Sequence, residues 1–143
     1  MASGMNVFGI DKLIGELKSY NEKVYTNINN ALNDAATNVQ SAAKMDAPSD
    51  MGTLRGSIYK RPISENKWIG YEVYSLLPYA PYVEFGTGSR VSIPNGWEEY
   101  AMQFKGQKSI VGMNAQPFLI PNFEMEKARL MANLKKIVSN VQS

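Results

Sequence analysis

Two carboxylate pairs and one glycine-rich turn are the residues whose types and spacing invite a chemical reading. Asp46/Asp50 and Glu98/Glu99 have the composition of two-carboxylate hydrolysis, in which one acid donates a proton while the other activates water. Gly86-Thr87-Gly88-Ser89 suggests a phosphate cradle of backbone N–H groups. Each reading meets an obstacle. The first pair reads as a helix end and the second as a solvated helix face. The glycine turn lacks the spacing and the Lys-Ser/Thr of a P-loop, and the third glycine of a dinucleotide fingerprint. The chain contains no histidine and no cysteine, which removes the Ser-His-Asp arrangement, imidazole and thiolate metal sites, and disulfides. No HExxH or EF-hand spacing occurs. No catalytic residue, cofactor site, metal site or small-molecule substrate is therefore expected.

The segment Tyr79-Ala80-Pro81-Tyr82-Val83-Glu84-Phe85-Gly86-Thr87-Gly88 concentrates three aromatics, a proline and a carboxylate in ten residues. Such density suits a tightly packed joint. Pro81 is expected to open one helical turn, where its missing N–H costs nothing, and Gly86 to close it in the left-handed conformation. Tyr82 and Phe85, three apart, would stack on one side. Glu84 lies between Val83 and Phe85, so its carboxylate is expected to be partly buried and in need of a partner. Arg55, whose planar fork suits a carboxylate, is one candidate. Hydrogen bonds from Thr87 and nearby amides are the other.

These residues must be positioned by a helix, strand, strand, helix framework. Leu13, Leu17, Val24, Ile28, Leu32, Ala35, Val39 and Ala42 draw one apolar stripe, predicting a helix from about Asp11, its N-cap, to Asp46, with Pro48 as the stop. Unbroken, it would span roughly 54 Å, against a diameter of about 35–40 Å for a domain of this size. It must break near Ser19–Asn21 or project. Gly56 to Ile63 and Lys67 to Leu76 predict an antiparallel hairpin with a Ser64-Glu65-Asn66 turn and Pro62 at an edge. Trp97, Tyr100, Ala101 and Phe104 at i, i+3, i+4 and i+7 predict a two-turn helix inside an excursion over about 88–114, and Ser109–Met113 a short strand. A second long helix is predicted from Asn122, carrying Phe123, Leu130, Leu134, Ile137, Val138 and Val141, with Glu124 and Glu126 in its first turn. The whole is an α+β class chain: long N-terminal helix, small antiparallel β-sheet with an inserted excursion, C-terminal helix. Residues 1–143 are expected to form one domain.

Charge adds little. The net formal charge is +2, with residues 1–50 at −2 and the remainder at +4. The central basic residues, Arg55, Lys60, Arg61, Lys67, Arg90, Lys105 and Lys108, leave open a small nucleic-acid-binding module with a weakly basic face, although acidic residues share the region. No apolar run approaches the ~20 residues that span a bilayer, and no secretory signal is expected.

Three segments taken in order carry a resemblance: Gly52-Thr53-Leu54-Arg55-Gly56-Ser57-Ile58 after Pro48, then Tyr79 to Thr87, then Gln116-Pro117-Phe118-Leu119-Ile120-Pro121. Together they resemble the tail-component family of tailed bacteriophages, the tail-completion, neck or head-tail joining proteins of long-tailed phages and prophages. The resemblance runs from the first helix to the last, the excursion excepted. It implies a non-enzymatic virion protein made in the host bacterial cytoplasm and placed at the junction of neck and tail. It implies a homo-oligomeric ring, typically a hexamer, touching the tail terminator and the head connector or stopper, with DNA passing through the lumen without sequence-specific binding. Gly52, Leu54, Arg55, Tyr79, Pro81, Tyr82, Glu84, Phe85, Gly86, Pro117 and Phe118 are its structural motif residues. Trp97, Tyr100 and Phe104, with the first helix, are candidates for the subunit interface; the alternative is a lid packed on the subunit's own sheet.

Overall fold

In the computed structural model, residues 22–48, 50, 52–65, 68–104 and 112–141 are described. Helix α1 (Glu22–Asp46) buries Val24, Ile28, Leu32, Val39 and Ala43 along one face. That is the expected stripe with one adjustment. Ala31, Ala36 and Ala43 are the helix's buried alanines, while Ala35 and Ala42 are half-buried, so the face turns slightly as it descends. The Asp11 cap, Leu13, Leu17 and the Ser19–Asn21 break lie outside the described residues. The chain turns after Ala47 into a short helix, α2 (Gly52–Gly56), whose Leu54 is fully buried.

The hairpin follows. Strands β1 (Tyr59–Glu65) and β2 (Trp68–Tyr74) pair antiparallel with Tyr59 opposite Tyr74 and Glu65 opposite Trp68. Alternation sends Ile69 and Val73 into the core. Lys60 lies on that same face and donates to Asn33 Oδ1 at 2.7 Å and Thr37 Oγ1 at 2.6 Å on α1. The opposite face carries Arg61 paired with the buried Glu72, its guanidinium 4.7 Å from the Tyr74 ring centroid. Pro62 is exposed in a two-stranded sheet, where both strands are edges and its missing N–H is tolerated.

Beyond β2 come α3 (Ala80–Phe85), α4 (Glu98–Met102) and α5 (Ile120–Val141). Helix α5 begins two residues before the expected Asn122, which takes Glu124 and Glu126 out of its first turn. It runs antiparallel to α1: Asn122 Nδ2 meets Asp46 at 2.8 Å, and Glu126 accepts from Asn38 at 3.3 Å, nearer the middle of α1. The expected strand at 109–113 falls largely outside the described residues, and its described end, Gly112 and Met113, is irregular.

Two apolar clusters hold these elements. One joins α1 near Val24, Ile28 and Leu32 to Ile69, Leu130 and Leu134. The other gathers Ala43, Leu54, Val73, Val83, Phe85 and Phe118 beneath α3. The architecture is α+β, with a long N-terminal helix, a small antiparallel sheet and a C-terminal helix.

Candidate functional site

Helix α3 has six residues, five of them buried: Ala80, Pro81, Val83, Glu84 and Phe85. So short a helix is unstable alone, and its polar ends are satisfied by distant chain. The Val83 carbonyl accepts from Gln116 N at 2.8 Å, and the Phe85 carbonyl accepts from Ser92 N at 2.7 Å. Pro81 sits in the first turn as expected. Gly86 closes the helix, its N–H donating to Tyr82 O at 2.9 Å. Its φ is +78°, but its ψ of −174° sends the chain off extended and not into the left-handed helical region expected. Any Cβ there would stand 2.7 Å from Met113 O and 2.8 Å from Ala115 N and Arg90 O. Glycine is required both by the dihedral and by the crowding.

Glu84 is the centre of the arrangement. It is 1% exposed. Its Oε2 accepts the N–H groups of Phe118 at 2.8 Å and Leu119 at 2.9 Å, and its Oε1 that of Ile120 at 2.9 Å. These amides form the entry to α5, where a helix has unsatisfied donors and the positive end of its dipole. Pro121, next in line, has no N–H to offer. Burial pushes the Glu84 carboxyl above the usual range, and the three amide bonds oppose that shift.

Of the two candidate partners for Glu84, the Arg55 pairing is not formed and amides are used, though not those beside Thr87. Arg55 is exposed and its guanidinium reaches the Ala47 carbonyl at 3.5 Å, beside the end of α1, where a cation suits the helix dipole. Thr87 also turns elsewhere: its N–H donates to Met113 O at 3.0 Å and its Oγ1 accepts from Met113 N at 2.7 Å. Backbone donors win because they arrive already fixed by the α5 turn, whereas burying a guanidinium would add a second desolvation.

Around this latch the aromatics divide. Phe85 and Phe118 are fully buried, while Tyr79 and Tyr82 are exposed. Phe104 bridges them, stacked on Phe85 with centroids at 5.6 Å and edge-on to Tyr82 at 5.0 Å. Trp97, Tyr100 and Phe104 are half-buried against the cluster beneath α3, and Trp97 Nε1 donates to Glu124 at 3.3 Å. The fold thus brings together Tyr82, Glu84, Phe85, Gly86, Phe118, Tyr100 and Phe104. Gly52, Leu54 and Arg55 belong to α2; Pro117 is exposed in the turn before Phe118. Asp46 and Asp50, and Glu98 and Glu99, are exposed. Among the described residues, no group of three or more acidic side chains could hold a metal, and no helix is long and apolar enough to cross a membrane.

Sequence reasoning missed two buried polar residues on α5. Asn122 donates to both Asp46 Oδ2 and Phe118 O at 2.8 Å. Glu126 takes Asn38 and, at 2.6 Å, Arg129. Their signal was present: Asn122, Glu126, Leu130 and Leu134 recur every four residues, two polar positions extending an apolar stripe.

A family model described as "Bacteriophage HK97-gp10, putative tail-component" matches residues 11–86, just over half of the chain. The chain belongs to the HK97-gp10-like family of phage tail components. The matched segment holds α1, α2, the hairpin and α3, and it ends at Gly86, the residue that closes α3. The first signature segment lies within it, as does the second up to Gly86; Gln116–Pro121 lies beyond it. In this family member the Glu84 carboxylate therefore comes from the matched part and the amides that it holds from outside it. No curated protein and no solved structure matches the chain.

Proposed function

We propose that this tail component is a one-domain structural protein of the phage neck, assembling as a ring of identical copies, with six the expected number. The ring joins the head connector or stopper to the tail terminator around the DNA channel. It acts by shape and surface chemistry, without turnover. The observation that carries this reading is the use of Glu84. The buried carboxylate in the signature segment is consumed by three backbone amides, so the segment works as a joint that fixes α3 to α5. A reactive carboxylate would face a cleft; this one faces a helix end.

Contacts between copies fall on the exposed side of α1 and on the excursion carrying Trp97, Tyr100 and Phe104, which the subunit's own core supports from beneath. A closed ring requires unlike surfaces of successive copies to meet. DNA in the lumen has to slide, and a net charge of +2 avoids strong phosphate binding. Gold labelling of this chain on purified particles tests the placement. Label confined to the junction of head and tail is expected; label absent from particles, or spread along the tail, contradicts it.

A further inference from the structure

The outer side of the Glu84 joint carries apolar side chains that the fold leaves uncovered. Tyr79 and Tyr82, one turn apart, are 38% and 43% exposed, and Met102 at the end of α4 is 49% exposed. Tyr82 meets Phe104, two residues past the end of α4, edge-on, so α3 and the stretch that leaves α4 lie side by side. Its rim is acidic. Glu98 and Glu99 are exposed on α4, and Glu124 is tied to the same corner by Trp97. The Gly96 N–H holds the Glu98 carboxyl below the usual range, so it keeps its charge.

Helix α5 changes sign along its length. Beyond Glu126 its charged residues are Lys127, Arg129, Lys135 and Lys136, with no carboxylate among them. Arg129 is taken by Glu126, and Lys127 lies 5.8 Å from the Phe123 ring centroid. Lys135 and Lys136 are exposed and stand roughly 18 Å along the helix from Glu124, at ~1.5 Å per residue. The acidic corner and this basic pair therefore sit too far apart along one rigid helix to neutralise each other through that axis. Acidic residues also disfavour a polyanion over the tyrosine and methionine face.

We propose that the Tyr79, Tyr82 and Met102 face docks against the C-terminal half of α5 on a second copy, with Glu98 and Glu99 facing Lys135 and Lys136. Unlike patches meet, so the contact is head-to-tail and repeats from copy to copy. This inference rests on the proposed ring and adds to its contact surfaces the C-terminal half of α5, met by the excursion's α4 and the neighbouring α3. The apolar side chains supply the dry centre and the charges fix register and partner choice.

Charge reversal on the full chain, read by native mass spectrometry and sedimentation velocity, tests it. Glu98→Lys with Glu99→Lys, and separately Lys135→Glu with Lys136→Glu, should each raise the concentration for half-assembly about tenfold or more. Combining all four should restore assembly to within about threefold of wild type, with circular dichroism unchanged throughout. Wild-type rings with both double reversals assembling normally would overturn this seam and leave the ring standing, as would failure of the fourfold variant to recover. A wild-type chain that stays monomeric up to about millimolar concentration, where only the weakest association is missed, would overturn the ring and the seam together.

Discussion

At Glu84 and Gly86 single atoms decide whether the joint holds. Glu84→Ala would strand the Phe118, Leu119 and Ile120 N–H groups in a buried site, and is expected to cost about 3–5 kcal/mol of stability in urea unfolding. A loss below about 0.5 kcal/mol, the size of an ordinary surface substitution, would contradict the latch. The pH dependence has a defined sign. The folded state holds the Glu84 proton more tightly than the unfolded chain, so the native form binds the extra proton between the ordinary value, about 4.3, and the raised folded value. Stability from this group is present in full below that window and is lost as pH rises through it. Glu84→Gln should abolish that part of the slope; a wild-type slope of the opposite sign, removed by the same substitution, would show that the amide bonds outweigh burial. Gly86→Ala places a Cβ against three backbone atoms at positive φ and is expected to destabilise by about 2–4 kcal/mol. A crystal structure or melting curve of that variant indistinguishable from wild type would refute the crowding.

At the scale of elements, stability depends on α1 and α5 lying together and on α4 closing over α3. Leu134 is 2% exposed in the α1–α5 seam, so Leu134→Ala should cost about 2–5 kcal/mol, whereas Trp97→Ala, half-buried, should cost less, about 1–3 kcal/mol. Thermal unfolding of the pair ranks the two contacts; a larger loss at Trp97 would make the lid, and not the helix pair, the main support. The helices and hairpin were legible because their signals are periodic: Val24, Ile28 and Leu32 at helical spacing, Ile69, Tyr71 and Val73 at strand spacing. The shift from Ala35 to Ala36 was not, because alanine on either side of a stripe is equally small and apolar. The partner of Glu84 was hidden for a different reason. Its donors are backbone amides 34 to 36 residues away, and an amide carries no mark of residue type. The sequence therefore offered Arg55 and, as the alternative, amides near Thr87, the right kind of donor in the wrong part of the chain. The spacing marked Asn122 as a stripe position, but not its partner: the bond to Asp46, 76 residues away, appears only once α1 and α5 are side by side.

At the scale of the whole molecule, the signature segment is spent on holding the protein together, and the surfaces left over are unlike each other: an apolar face rimmed by Glu98 and Glu99, and a basic stretch at Lys135 and Lys136. A chain with two unlike faces has the asymmetry that ring formation requires, and its family places it among phage tail components. The joining role is the central claim, and removing the gene from a phage that carries it tests that claim most directly. Electron microscopy of the lysate is expected to show heads and finished tails that remain apart, with infectivity recovered when the purified wild-type protein is added. Joined, infectious particles in the absence of this chain would contradict the account.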